Sequence, residues 1–349
     1  MPKTSPGRYF EDFSVGEVIQ HATPRTLWGG DQSVYGALYG SRFALQSSDE
    51  FSKAVGFSRA PVDDCLAFHV VFGKTVADIS LNAVANLGYA EGRFLRPVFP
   101  GDTLSARSEV IGIKENSNGK TGIVYVRTEG LNQRGDIVLT FVRWVMMRKR
   151  DENAPTPDIV VPDLEDSFAS NSLKAPKDTD WSKGDLVLSG SRHKWGDYEV
   201  GEKIDHVDGV TVEEAEHQLA TRLYQNSAKV HFNHHTEGKA RFGRRLVYGG
   251  HVISLARAIS FNGLANAWMI AAINGGTHAA PLFAGDTVYA WSEVLDAAEI
   301  DGRSDVGALR LRLVATKDTP CTDFPYKGED GAYADGVILD FDYWALMPR

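Results

Sequence analysis

Two stretches of the chain carry apolar residues at helical spacing. One holds Val62, Leu66, Phe68, Val70 and Val71, and the other, far downstream, holds Val252, Leu255, Ala258 and Ile259. Each follows a more polar stretch of helical character, 30–54 in the first case and 212–230 in the second. Each is in turn followed by β-rich runs bounded by turn residues: Gly122–Arg127 and Ile137–Val142, then Gly307–Val314 and Val337–Phe341. Helices first and antiparallel strands afterwards predict an α+β plan, laid down twice.

Short identities support the duplication. Phe10–Glu17 matches Trp195–Glu202, and Leu38-Tyr39 matches Leu223-Tyr224, both at an offset of 185 residues. Gly101-Asp102-Thr103 matches Gly285-Asp286-Thr287 at nearly the same spacing, and Phe141–Met147 echoes Phe341–Met347 at a longer one. The longer final spacing predicts an insertion in the second copy near 317–336. Residues 151–189, rich in Pro, Asp, Ser and Lys without a sustained apolar period, predict a surface connector. The expected organisation is a first repeat over 1–150, a linker over 151–189 and a second repeat over 190–349.

Composition restricts the function without naming it. With 349 residues, 43% hydrophobic and 24% charged, the chain has the balance of an ordinary globular protein with room for two cores. The net charge of -9 argues against a nucleic-acid partner. Two cysteines, Cys65 and Cys321, make neither a disulfide framework nor a metal-ligand pair, which fits a reducing compartment. No leader-like apolar run follows Met1, and no stretch approaches the roughly 20 apolar residues of a membrane span. The expectation is a cytoplasmic protein without a membrane partner. No nucleotide-binding glycine motif is present.

The chemistry concentrates between Leu223 and Leu255. Asn226 lies five residues before His231, and a glycine pair, Gly249-Gly250, opens the second apolar helix. A histidine can move a proton near neutral pH, and backbone N–H groups at a helix start can hold a developing oxyanion. In this order and spacing they resemble the signature of the MaoC-like, (R)-specific enoyl-CoA hydratases, Tyr-x-Gly-Asp-x-Asn-Pro-(Ile/Leu/Val)-His. The chain departs from that string at several places. Gln225 stands for Gly, Asn226 for Asp, Ala228 for Asn and Lys229 for Pro, and Tyr224 comes one position later than the motif tyrosine.

The resemblance implies a double hot-dog fold, in which each repeat is a long helix wrapped by a curved antiparallel sheet. It also implies a hydro-lyase acting on an enoyl-CoA thioester, with coenzyme A as part of the substrate and no metal or other cofactor. The strings Ala37–Asp49, Ser80–Tyr89 and Phe242–Arg245 extend the likeness from Phe10 to Arg349. They narrow it to family members that reversibly hydrate mesaconyl-C1-CoA to (2R,3S)-β-methylmalyl-CoA, in acetate assimilation through the ethylmalonyl-CoA pathway. In this reading His231 is the acid–base, Asn226 holds the water and Gly250 offers the oxyanion N–H.

Across the repeat Gln46 stands where His231 does, and an amide exchanges no protons. The first copy is therefore expected to shape the acyl pocket, with Gln46 and Tyr224 among the binding residues. Arg241, Arg244 and Arg245, with Lys239, form a basic run suited to coenzyme A phosphates, and Arg42 or Arg222 could take the substrate's free carboxylate. A homo-oligomer, dimer or higher, is expected. Three other readings stay open at this point: another MaoC-like (R)-specific enoyl-CoA hydratase or dehydratase, a hot-dog thioesterase, and an acyl-CoA binding protein without catalysis.

Overall fold

The computed structural model describes residues 3–349. The first half runs β1 (Val18–Thr26), α1 (Gly29–Tyr39), α2 (Ala44–Ser47), α3 (Asp49–Val55), α4 (Asp64–Thr75), β2 (Ala83–Phe94), β3 (Thr103–Glu115), β4 (Thr121–Leu131) and β5 (Ile137–Arg148). The second half repeats the series as β6 (Lys203–Asp205), β7 (Val210–Thr211), α5 (Glu214–Leu223), α6 (Lys229–Phe232), α7 (His234–Glu237), α8 (Gly249–Ile259), α9 (Phe261–Leu264), β8 (Met269–His278), β9 (Thr287–Glu299), β10 (Val306–Lys317) and β11 (Val337–Pro348). The extra residues of the second copy form the loop between β10 and β11, where the spacing predicts them.

The strands make one antiparallel sheet in the order β1-β3-β4-β5-β2-β8-β11-β10-β9-β6, with β7 paired to β9. The halves join through β2 and β8, from Tyr89 opposite Gly276 to Arg93 opposite Ala272. Helices α4 and α8 lie against the concave face of their own halves and touch each other. Every residue of α4 is buried, so its sequence is apolar on all sides rather than along one stripe. This is the double hot dog. The polar stretch expected as one helix over 30–54 is broken into α1, α2 and α3, because Gly40 at φ 59 ends the first and Ser48, in extended backbone, separates the second from the third. Strands β2 and β8 escape a propensity reading, being rich in alanine and glycine. Gly88 belongs there because a Cβ would meet the Trp144 ring at 2.3 Å.

The halves are related by a pseudo-two-fold axis, and two repeat-equivalent residues meet on it: the Tyr39 and Tyr224 hydroxyls are 2.7 Å apart. The linker runs over the surface as its composition predicts, but a few apolar side chains pin it to the second half. Trp181, fully buried, stacks on Trp268 with ring centroids 5.1 Å apart, and Phe168 and Leu173 join the same cluster. Its polar residues are real, but three large apolar side chains are enough to dock it. No helix among the described residues is long and apolar enough to cross a membrane.

Candidate active site

The site is built on the segment between α5 and α8. Helix α5 ends at Leu223, and the chain turns at Gln225, which adopts φ 54. Gln225 occupies the place of the motif's glycine, and the left-handed conformation explains the family's preference for glycine there. A non-glycine residue bears a cost of roughly 1 kcal/mol in that region. The turn delivers Asn226 into the interior, where its Oδ1 accepts the Ala228 N–H at 2.9 Å and starts α6. His231 is the third residue of that single-turn helix.

The His231 ring is buried, packs edge-on against Tyr248 at 5.4 Å and approaches the Leu246 carbonyl with Nδ1 at 2.8 Å. A carbonyl only accepts, so Nδ1 carries the proton and Nε2 presents a lone pair. Nε2 makes no hydrogen bond among the described residues. Burial lowers the pKa to about 4 against the opposing Leu246 hydrogen bond, and the His217 ring lowers it further. The imidazole is thus a neutral base at neutral pH. Asn226 lies beside the Tyr248 hydroxyl, which burial pushes well above the usual phenol range.

Tyr248 leads directly into the start of α8. It is the N-cap residue but gives no side-chain cap, and the Gly249 and Gly250 N–H groups make no hydrogen bond among the described residues. These donors, with the helix dipole behind them, are an empty seat for a carbonyl oxygen gaining charge. Gly250 also has no room for a side chain: a Cβ would lie 2.3 Å from the Tyr248 ring and 2.6 Å from His69 Nδ1.

The counterpart in the first half has lost both parts. Gln46 replaces the imidazole, and Asp63 stands where Tyr248 does. The Asp63 carboxylate accepts the Cys65 N–H at 2.9 Å, and Cys65 is the equivalent of Gly250. The protein's own carboxylate therefore fills the seat that α8 leaves open.

The first half nevertheless serves the His231 site through α4. Gly73 touches the site segment so closely that a Cβ would fall 1.8 Å from the Tyr224 carbonyl oxygen and 3.2 Å from the Asn226 nitrogen. Gly73→Ala should push Asn226 out of place and lower kcat by on the order of 10²-fold, the usual penalty for a displacement of about 1 Å. Unchanged turnover in a folded Gly73→Ala protein would mean that the segment needs no such support. His69, Phe72 and Tyr89 form the wall beyond it, with the His69 ring 4.9 Å from Tyr224 and 5.8 Å from Tyr248, and Phe72 5.7 Å from Tyr248.

Several sequence-predicted residues lie elsewhere. Gln46 donates from Nε2 to the Trp268 carbonyl at 2.8 Å and lines a separate cleft of about 500 Å³ with Gln32, Tyr35, Arg59 and Asp63. It ties the two halves together and lines the first half's own cleft, apart from His231. Arg42 is exposed and stacks on Phe261 at 4.5 Å, and Arg222 is exposed on the outer face of α5, so neither faces the interior. Tyr224 is a buried wall residue whose hydroxyl is committed to Tyr39 and Ser254.

The basic run divides. Arg245 is held by Glu214, and Arg244 stacks on Phe283 at 4.1 Å within 3.6 Å of Asp286. Exposed Arg241 pairs with no carboxylate among the described residues and packs on Phe242 at 5.2 Å. Sequence reasoning missed Tyr248, His69 and Gly73. Tyr248 sits next to the glycine pair and could have been found there. The other two come from the opposite half and carry no local signal.

The double hot dog is the fold of MaoC-like proteins. The chain belongs to the mesaconyl-CoA hydratase family, whose sequence profile matches residues 3–329. It is 62% identical to the beta-methylmalyl-CoA dehydratase of Chloroflexus aurantiacus, over 99% of both chains. It is 64% identical to the mesaconyl-CoA hydratase of Cereibacter sphaeroides, over 99% of this chain and 100% of that one. The crystal structure of a MaoC domain protein from Chloroflexus aurantiacus, 62% identical, superposes with a TM-score of 0.98 over 100% of this chain and 99% of its own. A Mycobacterium tuberculosis protein with a double hot-dog fold, 28% identical, gives 0.77 over 98% and 99%.

Proposed function

We propose that the protein is a hydro-lyase that reversibly adds water to mesaconyl-C1-CoA, giving (2R,3S)-β-methylmalyl-CoA. The names of its two relatives above 60% identity support the substrate. The observation that carries the chemistry is His231, neutral, with a free Nε2, beside an α8 start whose N–H groups are unused.

The roles follow from that arrangement. The Gly250 N–H donates to the thioester carbonyl and draws electron density from the β-carbon. Asn226 donates from its amide NH₂ to the water, its Oδ1 being committed to Ala228. His231 Nε2 takes one proton from that water as the oxygen bonds to the β-carbon. The electron pair of the double bond moves to the α-carbon and the thioester oxygen as an enolate. The imidazolium then returns the proton to the α-carbon, so water is added across the double bond and the histidine is regenerated. Asn226 gives and takes no proton. Arg241, and Arg244 once released from Asp286, would meet the phosphates of coenzyme A.

The test is incubation of the protein with mesaconyl-C1-CoA, following loss of enoyl-thioester absorbance and identifying the product. Appearance of the hydroxy-dicarboxylyl thioester supports the proposal. Release of free coenzyme A would instead indicate a thioesterase, and binding without turnover a non-catalytic acyl-CoA binder.

A further inference from the structure

The substrate of the proposed reaction carries a free carboxylate on the β-carbon, and the arginines expected to meet it are on the surface. The interior around the site holds buried polar groups without a hydrogen bond of normal geometry among the described residues. They are the Tyr248 hydroxyl, whose polar neighbour is the Asn226 side chain, and both nitrogens of His69. Tyr248 is 4% exposed and His69 0%. Buried polar atoms are nearly always paired, and these two residues converge on the missing side chain of Gly250.

Behind them lies a buried cation. Arg143 on β5 is 0% exposed, sits over the Phe72 ring at 4.3 Å and faces Tyr89 across the β2–β5 pairing. Its guanidinium bonds to the Thr75 and Ser80 hydroxyls and the Asn86 side-chain oxygen, and meets no carboxylate among the described residues. A buried cation without a counter-charge is costly.

The dead cleft shows what such a cation faces when the protein supplies its own anion. There the buried arginine is Arg257 of α8, at the repeat position of Phe72, with Tyr343 at the position of Arg143, so the two roles are exchanged. The Arg257 guanidinium lies 5.9 Å from the Tyr343 ring. The anion is Asp63, whose carboxyl burial pushes upward and Arg257 pulls back. In the His231 site Tyr248 takes the place of Asp63, and no protein carboxylate answers Arg143.

We infer that the substrate's free carboxylate is the anion that answers Arg143, hydrogen-bonded by the Tyr248 hydroxyl and the His69 imidazole N–H while the thioester carbonyl keeps the Gly250 N–H, with Arg143 supplying the balancing charge through the core of the first half. Arg143, Tyr248 and His69 are thus specificity-determining residues for a dicarboxylyl thioester. This rests on the hydratase reading for the identity of the acyl group.

The test measures equilibrium binding of two saturated thioesters that cannot be hydrated, 2-methylsuccinyl-CoA and 2-methylbutyryl-CoA, which differ only in a carboxylate against a methyl group. The full-length wild type is expected to prefer the former. Tyr248→Phe should reduce that preference by roughly 10–100-fold, the range for losing a hydrogen bond to a charged group. Its melting temperature should hold or rise, because the variant removes an unsatisfied buried hydroxyl. Arg143→Gln should abolish the preference if it folds, and Tyr248→Phe decides the matter if it does not. An unchanged preference in Tyr248→Phe, or equal loss of both ligands with a lower melting temperature, overturns the assignment. Turnover of mesaconyl-C1-CoA is scored separately, so wild-type preference without turnover defeats the hydratase reading and leaves the subsite standing.

Discussion

His231→Ala should lower kcat by roughly 10²–10⁴-fold, the usual span for removing a general acid–base, while the protein stays folded. Among the described residues, the only hydrogen bond of the ring that is lost is the one to the Leu246 carbonyl, worth about 1 kcal/mol. His231→Gln is the sharper comparison, because Gln46 shows that the same single-turn helix accommodates that side chain at the equivalent position. Both variants should keep the wild-type circular dichroism spectrum. Turnover within a few-fold of wild type in either would remove His231 from the chemistry. The pH profile adds an independent reading. With a pKa of about 4, His231 remains a competent base throughout the neutral range, so kcat/KM should not bend near the ordinary imidazole value of 6.5.

Acid should instead end activity by unfolding the protein. Burial holds His69 and His251 near a pKa of about 3, and His206, His231 and His278 near about 4. Each value lies below the 6.5 of the unfolded chain. The unfolded state therefore takes up protons first as the pH falls, and stability present above 6.5 is lost progressively towards about 3. Each of these buried histidines therefore opposes folding as the pH falls below 6.5, and the five act in the same direction. His21 and His217, also lowered by burial, add to the effect.

Asp64 acts in the opposite sense. Burial raises its carboxyl to about 8, so it gains stability as the pH falls from 8 towards 3.8 and offsets part of the loss. The histidines outnumber it, and the unfolding midpoint in denaturant should drop steeply between pH 6.5 and 5, with activity and circular dichroism lost together. Activity that declines while the spectrum holds would point to titration of a catalytic group instead.

Much of this was legible in the residues. The two apolar helices and the final strands of each half announce themselves by period. The match of Tyr39 with Tyr224 sets the register of the duplication, and that register puts Gln46 opposite His231. Other features lay outside any local pattern. His69, Gly73 and Arg143 belong to the first half but act on the second, and only docking across the pseudo-axis brings them there. Gly73 is an unremarked helix glycine until the Tyr224 carbonyl is placed against it. Arg245 looks like a ligand clamp in a basic run, yet Glu214, more than thirty residues upstream and one helix away, holds it. The docking of the linker was hidden for a related reason: composition averages over a segment, and Phe168, Leu173 and Trp181 are what anchor it.

The cap that Asp63 places on α4 bears on how the duplicated halves could evolve. A single Gln46→His change would restore an imidazole to the first cleft, but any enolate formed there would meet the Asp63 carboxylate at the N–H groups it requires. Removing Asp63 alone would strand the Arg257 charge and leave the amide of Gln46 in place of a base. Each single step back is thus without benefit or harmful, so the loss of the first site works as a ratchet. On the proposed assignment of His231, selection then tunes the first half only as a partner of the second, and one gene carries one working centre for every two folds it encodes.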